Sequence, residues 1–128
     1  MSYYYPVHVR LQGASTTEDA VTICFHERME ILGAKIVDVA GVTANASNYA
    51  VIKVLGNDQA TAMYQWSTAS AAEGSLTANT SEDLVSQGEE ALAVFDAGEA
   101  ILLELSKAAS GVAVDCVVAL HCRQARSY

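Results

Sequence analysis

The chain has 128 residues, with seven Lys and Arg against fifteen Asp and Glu, a formal net charge of -8. That length fits one domain whose core needs neither disulfides nor metals to hold it. Binding to phosphate or to an anionic membrane surface requires clustered cations, and the few present are scattered, so the composition argues against both partners. The opening MSYYYPVHVR lacks a basic start followed by an apolar run, and no stretch reaches transmembrane length, so the expectation is a protein made and folded in a cytoplasm.

In chain order, YYPVHVRL at residues 4–11 is the first apolar run of strand length, and Pro6, which lacks an amide hydrogen, marks it as an edge strand or an arm. The three consecutive tyrosines Tyr3, Tyr4 and Tyr5 place aromatic surface on both sides of an extended segment, whereas a strand buries only alternate residues against one sheet. Residues 1–10 are therefore set apart as an arm or edge strand, with Tyr3, Tyr4, Tyr5 and Pro6 as candidate contacts to a neighbouring protein. Residues 11–128 form the single domain.

AVTICFHER at 20–28 alternates Val21, Ile23 and Phe25 with Thr22, Cys24 and His26, which predicts a strand, and AKIVDVAG at 34–41 predicts another between Gly33 and Gly41. The polar loop 43–48 leads into SNYAVIKVLG, whose Tyr49, Val51, Lys53 and Leu55 point one way while Ala50, Ile52 and Val54 point the other. Two largely apolar faces mean either burial inside a sandwich or a surface covered by another chain. GND at 56–58 turns the chain into a strand at 61–67, with Tyr64 and Trp66 on one face.

SEDLVSQGEEALAVF at 81–95 is ambiguous. Its apolar residues fall at helical spacing, yet Gly88 and the DAG turn at 96–98 favour two short strands near 83–86 and 91–95. AILLELSK at 100–107 and VAVDCVVALHCR at 112–123 complete about eight strands, which makes the expected fold all-β, a β-sandwich of jelly-roll type.

NASNYAVIKVLG together with the later DAGEAILLELSKAASGVAV resembles a family of small β-sandwich proteins of tailed bacteriophages. In that family an N-Y-A-x-I-x-L strand is followed by G-D-x-L-x-L and G-x-G-V-A-V. The matching residues are Asn48, Tyr49, Ala50 and Ile52, then Gly98, Glu99, Leu102 and Leu103, then Gly111, Val112, Ala113 and Val114, with Glu99 where Asp is usual and one glycine fewer before Val112. The resemblance implies a capsid decoration or cement protein on the outer surface of a virion. Its partners would be the major capsid protein and two further copies of itself in a homotrimer. It also admits a fibre or receptor-binding module that contacts host glycan.

No nucleophile elbow, P-loop, dinucleotide fingerprint or paired-His zinc motif occurs, so no enzyme and no cofactor are expected, and a small-molecule-binding sandwich has no constellation to support it. His8, His26 and His121 lie on three different predicted strands, and a metal site would need them to converge with Glu27 or Asp115. Cys24, Cys116 and Cys122 are odd in number and fit no zinc spacing, so they read as buried or free thiols. Glu89 and Glu90, as neighbours, would point apart on a strand and read as a solvated edge. The candidate subunit interface comprises Tyr49, Val51, Tyr64, Trp66, Val117 and Ala119. Tyr64 with Trp66 is the candidate sugar platform under the fibre reading.

Overall fold

The computed structural model describes residues 4–69 and 73–125. Its strands are β1 (Tyr4–Gly13), β2 (Asp19–Ile23), β3 (Met29–Asp38), β4 (Tyr49–Leu55), β5 (Ala62–Ser67), β6 (Glu82–Asp83), β7 (Val85–Ser86), β8 (Val94–Phe95), β9 (Ile101–Ala108) and β10 (Val114–Gln124). They form two antiparallel sheets. The first runs β1-β10-β3-β6, with β8 also on β3, and the second runs β2-β9-β4-β5-β7. Successive strands mostly alternate between the sheets, which gives the jelly-roll-like sandwich that the strand spacing predicts.

The core follows from period-two alternation. On β10, Val114, Cys116, Val118, Leu120 and Cys122 are buried while the intervening side chains face outward, and on β4 Ala50, Ile52 and Val54 are buried beside Ile101, Leu103 and Leu105 of β9. Burying such an aliphatic side chain is worth roughly 1.5–3 kcal/mol, so these two inner faces are the main stabilising term.

Three strand boundaries differ from the sequence expectation. The run at 20–28 is a strand only to Ile23, because residues 24–28 turn between the sheets; there Gly98 N–H donates to the Phe25 carbonyl at 2.8 Å. β3 begins at Met29 rather than after Gly33. Its register with β10 shifts between His121 and Cys122, so Leu32 has no partner in the ladder and Gly33 lies inside the strand opposite His121. A bulge thus hides the alternation that would have revealed the strand. The ambiguous 81–95 segment splits into the short β6 and β7, a 3-10 turn at Glu90–Leu92, and β8, so strand and helical turn are both present.

β1 is an edge strand in register with β10 from Tyr4↔Arg123 to Gly13↔Val114. Its orientation can be read from two hydrogen bonds. The Asp115 carbonyl accepts from Val39 N–H at 2.9 Å, so Asp115 addresses β3, and its β1 partner Gln12 turns its own N–H away, to Asp19 Oδ2 at 3.0 Å. By the antiparallel alternation, the N–H groups of Arg10 and His8, and the proline nitrogen of Pro6, all face off the sheet. Pro6 sits where no ladder donor is needed.

Candidate functional site

The segments that carry the family resemblance meet in the structure. β4 pairs with β9 from Tyr49↔Ala108 to Val54↔Leu103, and Asn48 Oδ1 accepts from Ser110 N–H at 3.1 Å, tying the entry of β4 to the turn after β9. Gly111 occupies that turn with φ +62°, and a Cβ built there would lie 2.0 Å from the Ser15 carbonyl, so a side chain is excluded. In the DAGE turn, Glu99 Oε1 accepts from Asp96 N–H at 2.6 Å. These residues build turns and core.

The six candidate interface residues do not make one surface. Ile52↔Trp66 and Val54↔Tyr64 are register pairs, so Tyr64 and Trp66 share the inward face of β5. Trp66 is 6% exposed and its Nε1–H donates to the Gly74 carbonyl at 3.1 Å, which removes it as an interface anchor and as a sugar platform. The ring is a core element with its one polar atom satisfied within the chain. Tyr64 is half-buried against the same core, and burial is the main reason its hydroxyl is pushed above the usual tyrosine range. Tyr49 and Val51 lie on the outer face of the second sheet, where Val51 is flanked by Ser67 and Ser106, and Lys53 by Gln65 and Glu104. Neighbouring strands thus add polar groups around the outward side chains of β4, whose own polar contribution there is Lys53 and the Tyr49 hydroxyl. Val117 and Ala119 lie on the opposite side of the molecule, the outer face of the first sheet, half-buried.

The expected N-terminal contacts divide similarly. Tyr3 lies outside the described residues. Tyr4, Tyr5 and Pro6 are exposed yet built into β1, with register partners on β10, so they are part of the sheet rather than a detached arm. The Tyr4 ring lies 5.4 Å from the His121 ring, tilted by 33°. Together with Pro6, Gly33, Ala119 and the Lys35–Asp83 pair, they line a shallow trough of about 460 Å³. A second cavity of about 370 Å³ opens on the inner side of the same strand, between Tyr5, Val7, Phe25 and Met29.

Polar chemistry elsewhere is mostly structural. Asp38 is 1% exposed, and its carboxylate accepts from the N–H groups of Ala40, Gly41 and Asp115 at 3.0, 2.8 and 3.2 Å, fixing the exit of β3. Nothing in the hydropathy pattern distinguishes it; only the small residues that follow, Ala40 and Gly41, hint at a carboxylate-capped turn. Arg10 holds Asp115 through two hydrogen bonds of 2.9 and 2.7 Å, and these bonds lower the Asp115 carboxyl below its ordinary range. Burial pushes the Cys116 thiol up to about 12 and the Cys122 thiol up to about 11, while Cys24 is exposed. Among the described residues, no three His, Cys, Asp or Glu groups converge as metal ligands, and His8 and His121 share an outer face while His26 sits in the turn after β2.

No family model matches the chain, and no curated protein matches it. Among solved structures, it is similar to a chain from the infectious bursal disease virus Gx strain at 16% identity and a TM-score of 0.39, covering 99% of this chain and 33% of that one. It is similar to Desmodium yellow mottle tymovirus at 9% identity and a TM-score of 0.41, covering 97% of this chain and 87% of that one. The VP2 subviral particle of infectious bursal disease virus matches at 14% identity and a TM-score of 0.38, covering 96% and 32%. The chain spans about a third of the length of the two bursal disease virus chains it matches.

Proposed function

We propose that this chain is a non-enzymatic structural protein of a phage virion, a decoration or cement protein that binds the outer surface of the head as a homotrimer. The observation that supports this reading is the coming together of Asn48, β4, β9 and Gly111, the sequence segments that resemble the phage sandwich family, into one structural unit. The mechanism is mechanical. A protein that bridges neighbouring shell subunits raises the free energy of separating them against internal pressure, and three equivalent contacts per trimer turn weak single attachments into a firm one by avidity. An acidic protein outside the shell has no need to touch the genome, which accords with the charge of -8.

Electron microscopy of purified virions tests the proposal. Density for this chain at the three-fold positions of the head is the expected result. Density at a tail or fibre tip, or no copy in the particle, overturns it.

A further inference from the structure

The cavity of about 370 Å³ on the inner side of β1 lies within the usual size of a binding pocket. Tyr5 and Val7 on β1, with Phe25 and Met29 around the turn between β2 and β3, give it apolar walls, and the exposed His26 and Glu27 complete the lining. Among the described residues no cation closes on Glu27. Gly98 N–H, bonded to the Phe25 carbonyl at 2.8 Å, holds the turn at 96–99 against this wall. Arg28, 3.3 Å from Asp96, is the basic residue there, so Glu27, Asp96 and Glu99 leave the surroundings acidic. The cavity also reaches the open edge of the first sheet, because Pro6 lines it. The off-sheet orientation of the even-numbered residues of β1 leaves the Pro6 and His8 carbonyls, and the His8 and Arg10 N–H groups, outside the ladder with β10.

We infer that an extended, lysine-bearing segment of a partner protein docks here, adding a strand to the edge of β1 and placing one lysine side chain in the cavity. Charge and shape together select this occupant. An anion is repelled by Glu27 and its neighbours, and a wholly apolar group gains nothing from them. A bare metal ion needs several oxygen ligands, and Glu27 is the only carboxylate in the lining. A lysine satisfies both parts of the site, because its four-carbon stem lies along the apolar wall while its ammonium reaches Glu27 and the rings of Tyr5 and Phe25. Backbone pairing at the edge supplies the affinity that one exposed ion pair does not, and the cavity supplies the choice of side chain. Arg10, the cation beside this edge, is closed on Asp115 at 2.7 Å and does not oppose a basic segment. This partner chemistry deepens the attachment proposed above, and it rests on that reading for the partner's being the shell protein.

Calorimetric titration of the full chain with short end-blocked peptides tests it, with thermal melts of every variant as a folding control. One peptide alternates threonine and lysine, a second has glutamine for lysine, and a third is the first with every backbone nitrogen methylated; n-butylammonium chloride supplies the free cation. The expected result is saturable binding of the threonine-lysine peptide. That binding should weaken about three- to tenfold for the glutamine peptide, and likewise in Glu27→Gln and in Tyr5→Ala. It should be lost for the methylated peptide, and unchanged in Glu104→Gln on the outer face of the second sheet. Equal binding of the glutamine peptide overturns the selection of a cation. Equal binding of the methylated peptide or of n-butylammonium overturns strand addition, and no saturable binding by the unaltered chain overturns the site as a whole. These results are read on the isolated chain, so they stand apart from density at the head, whose absence overturns the shell as partner and leaves peptide binding in place.

Discussion

A thiol's reactivity is set by whether its thiolate can be solvated. Cys116 and Cys122 are buried among aliphatic side chains on the inner face of β10, and desolvation raises both, to about 12 and about 11. Native protein at pH 8 is therefore expected to consume one equivalent of a thiol reagent, through Cys24, and three after unfolding; three equivalents in the native state contradict the buried assignment. The same shifts carry a sign for stability. The folded protein holds these two protons more tightly than the unfolded chain, whose thiols titrate near 9.0, so their contribution is complete below that pH and is lost as pH rises through about 11 to 12. A Cys116→Ala, Cys122→Ala double variant should show a shallower alkaline decline in a urea midpoint series. Trp66 is the other decisive residue. Its truncation to Ala should cost about 3–5 kcal/mol in urea unfolding, whereas a sugar-stacking surface Trp would cost far less.

The edge strand β1 shows how one backbone direction decides what a position tolerates. Pro6 is accommodated because even-numbered amides face off the sheet, and His8 shares that orientation. His8→Pro should thus change stability by less than about 1 kcal/mol, while Val7→Pro, one residue earlier, removes a donor to β10 and should cost about 3 kcal/mol or more. Equal costs for the two would mean that the alternation has been assigned backwards. Deleting residues 2–6 removes register partners of Cys122 and Arg123, so a lower melting temperature is expected, with the rest of β1 retained. The edge character of this strand was legible from a single proline. The start of β3 was not, because the bulge at Leu32 interrupts the period on which such a reading depends.

At the scale of the whole molecule, the excess acid gathers in the turns at one end. Glu27, Asp58, Glu89, Glu90, Asp96 and Glu99 lie in segments that the structure ties together, through Gly98 N–H to the Phe25 carbonyl and Asn57 N–H to the Leu92 carbonyl, at 2.8 and 2.9 Å. Arg28, 3.3 Å from Asp96, is the basic residue of those turns. Self-repulsion of this kind is screened by salt, so the melting temperature should rise between about 10 and 150 mM salt, where the Debye length falls from roughly 30 to 8 Å. An apolar subunit interface would not follow that trend, and the oligomer's dissociation constant should stay within about threefold over the same range. A dissociation constant that climbs steeply with salt would place ion pairs at its centre.

Alternation of small and branched apolar residues, punctuated by Gly, Pro and Asn-rich turns, was enough to determine an all-β sandwich and most of its strands, because period two depends only on the local geometry of an extended chain. It also placed Cys116 and Cys122 together inward and made Pro6 an edge residue. Which outward faces stay wet was beyond it. SNYAVIKVLG looks apolar on both sides until β5 and β9 set Ser67, Ser106, Gln65 and Glu104 beside it. The inward turn of Trp66, and the opposite sides taken by Val51 and Val117, follow from which strands pair and which sheet each joins. Those choices are made by contacts between residues far apart in the chain, and only the tertiary structure decides them.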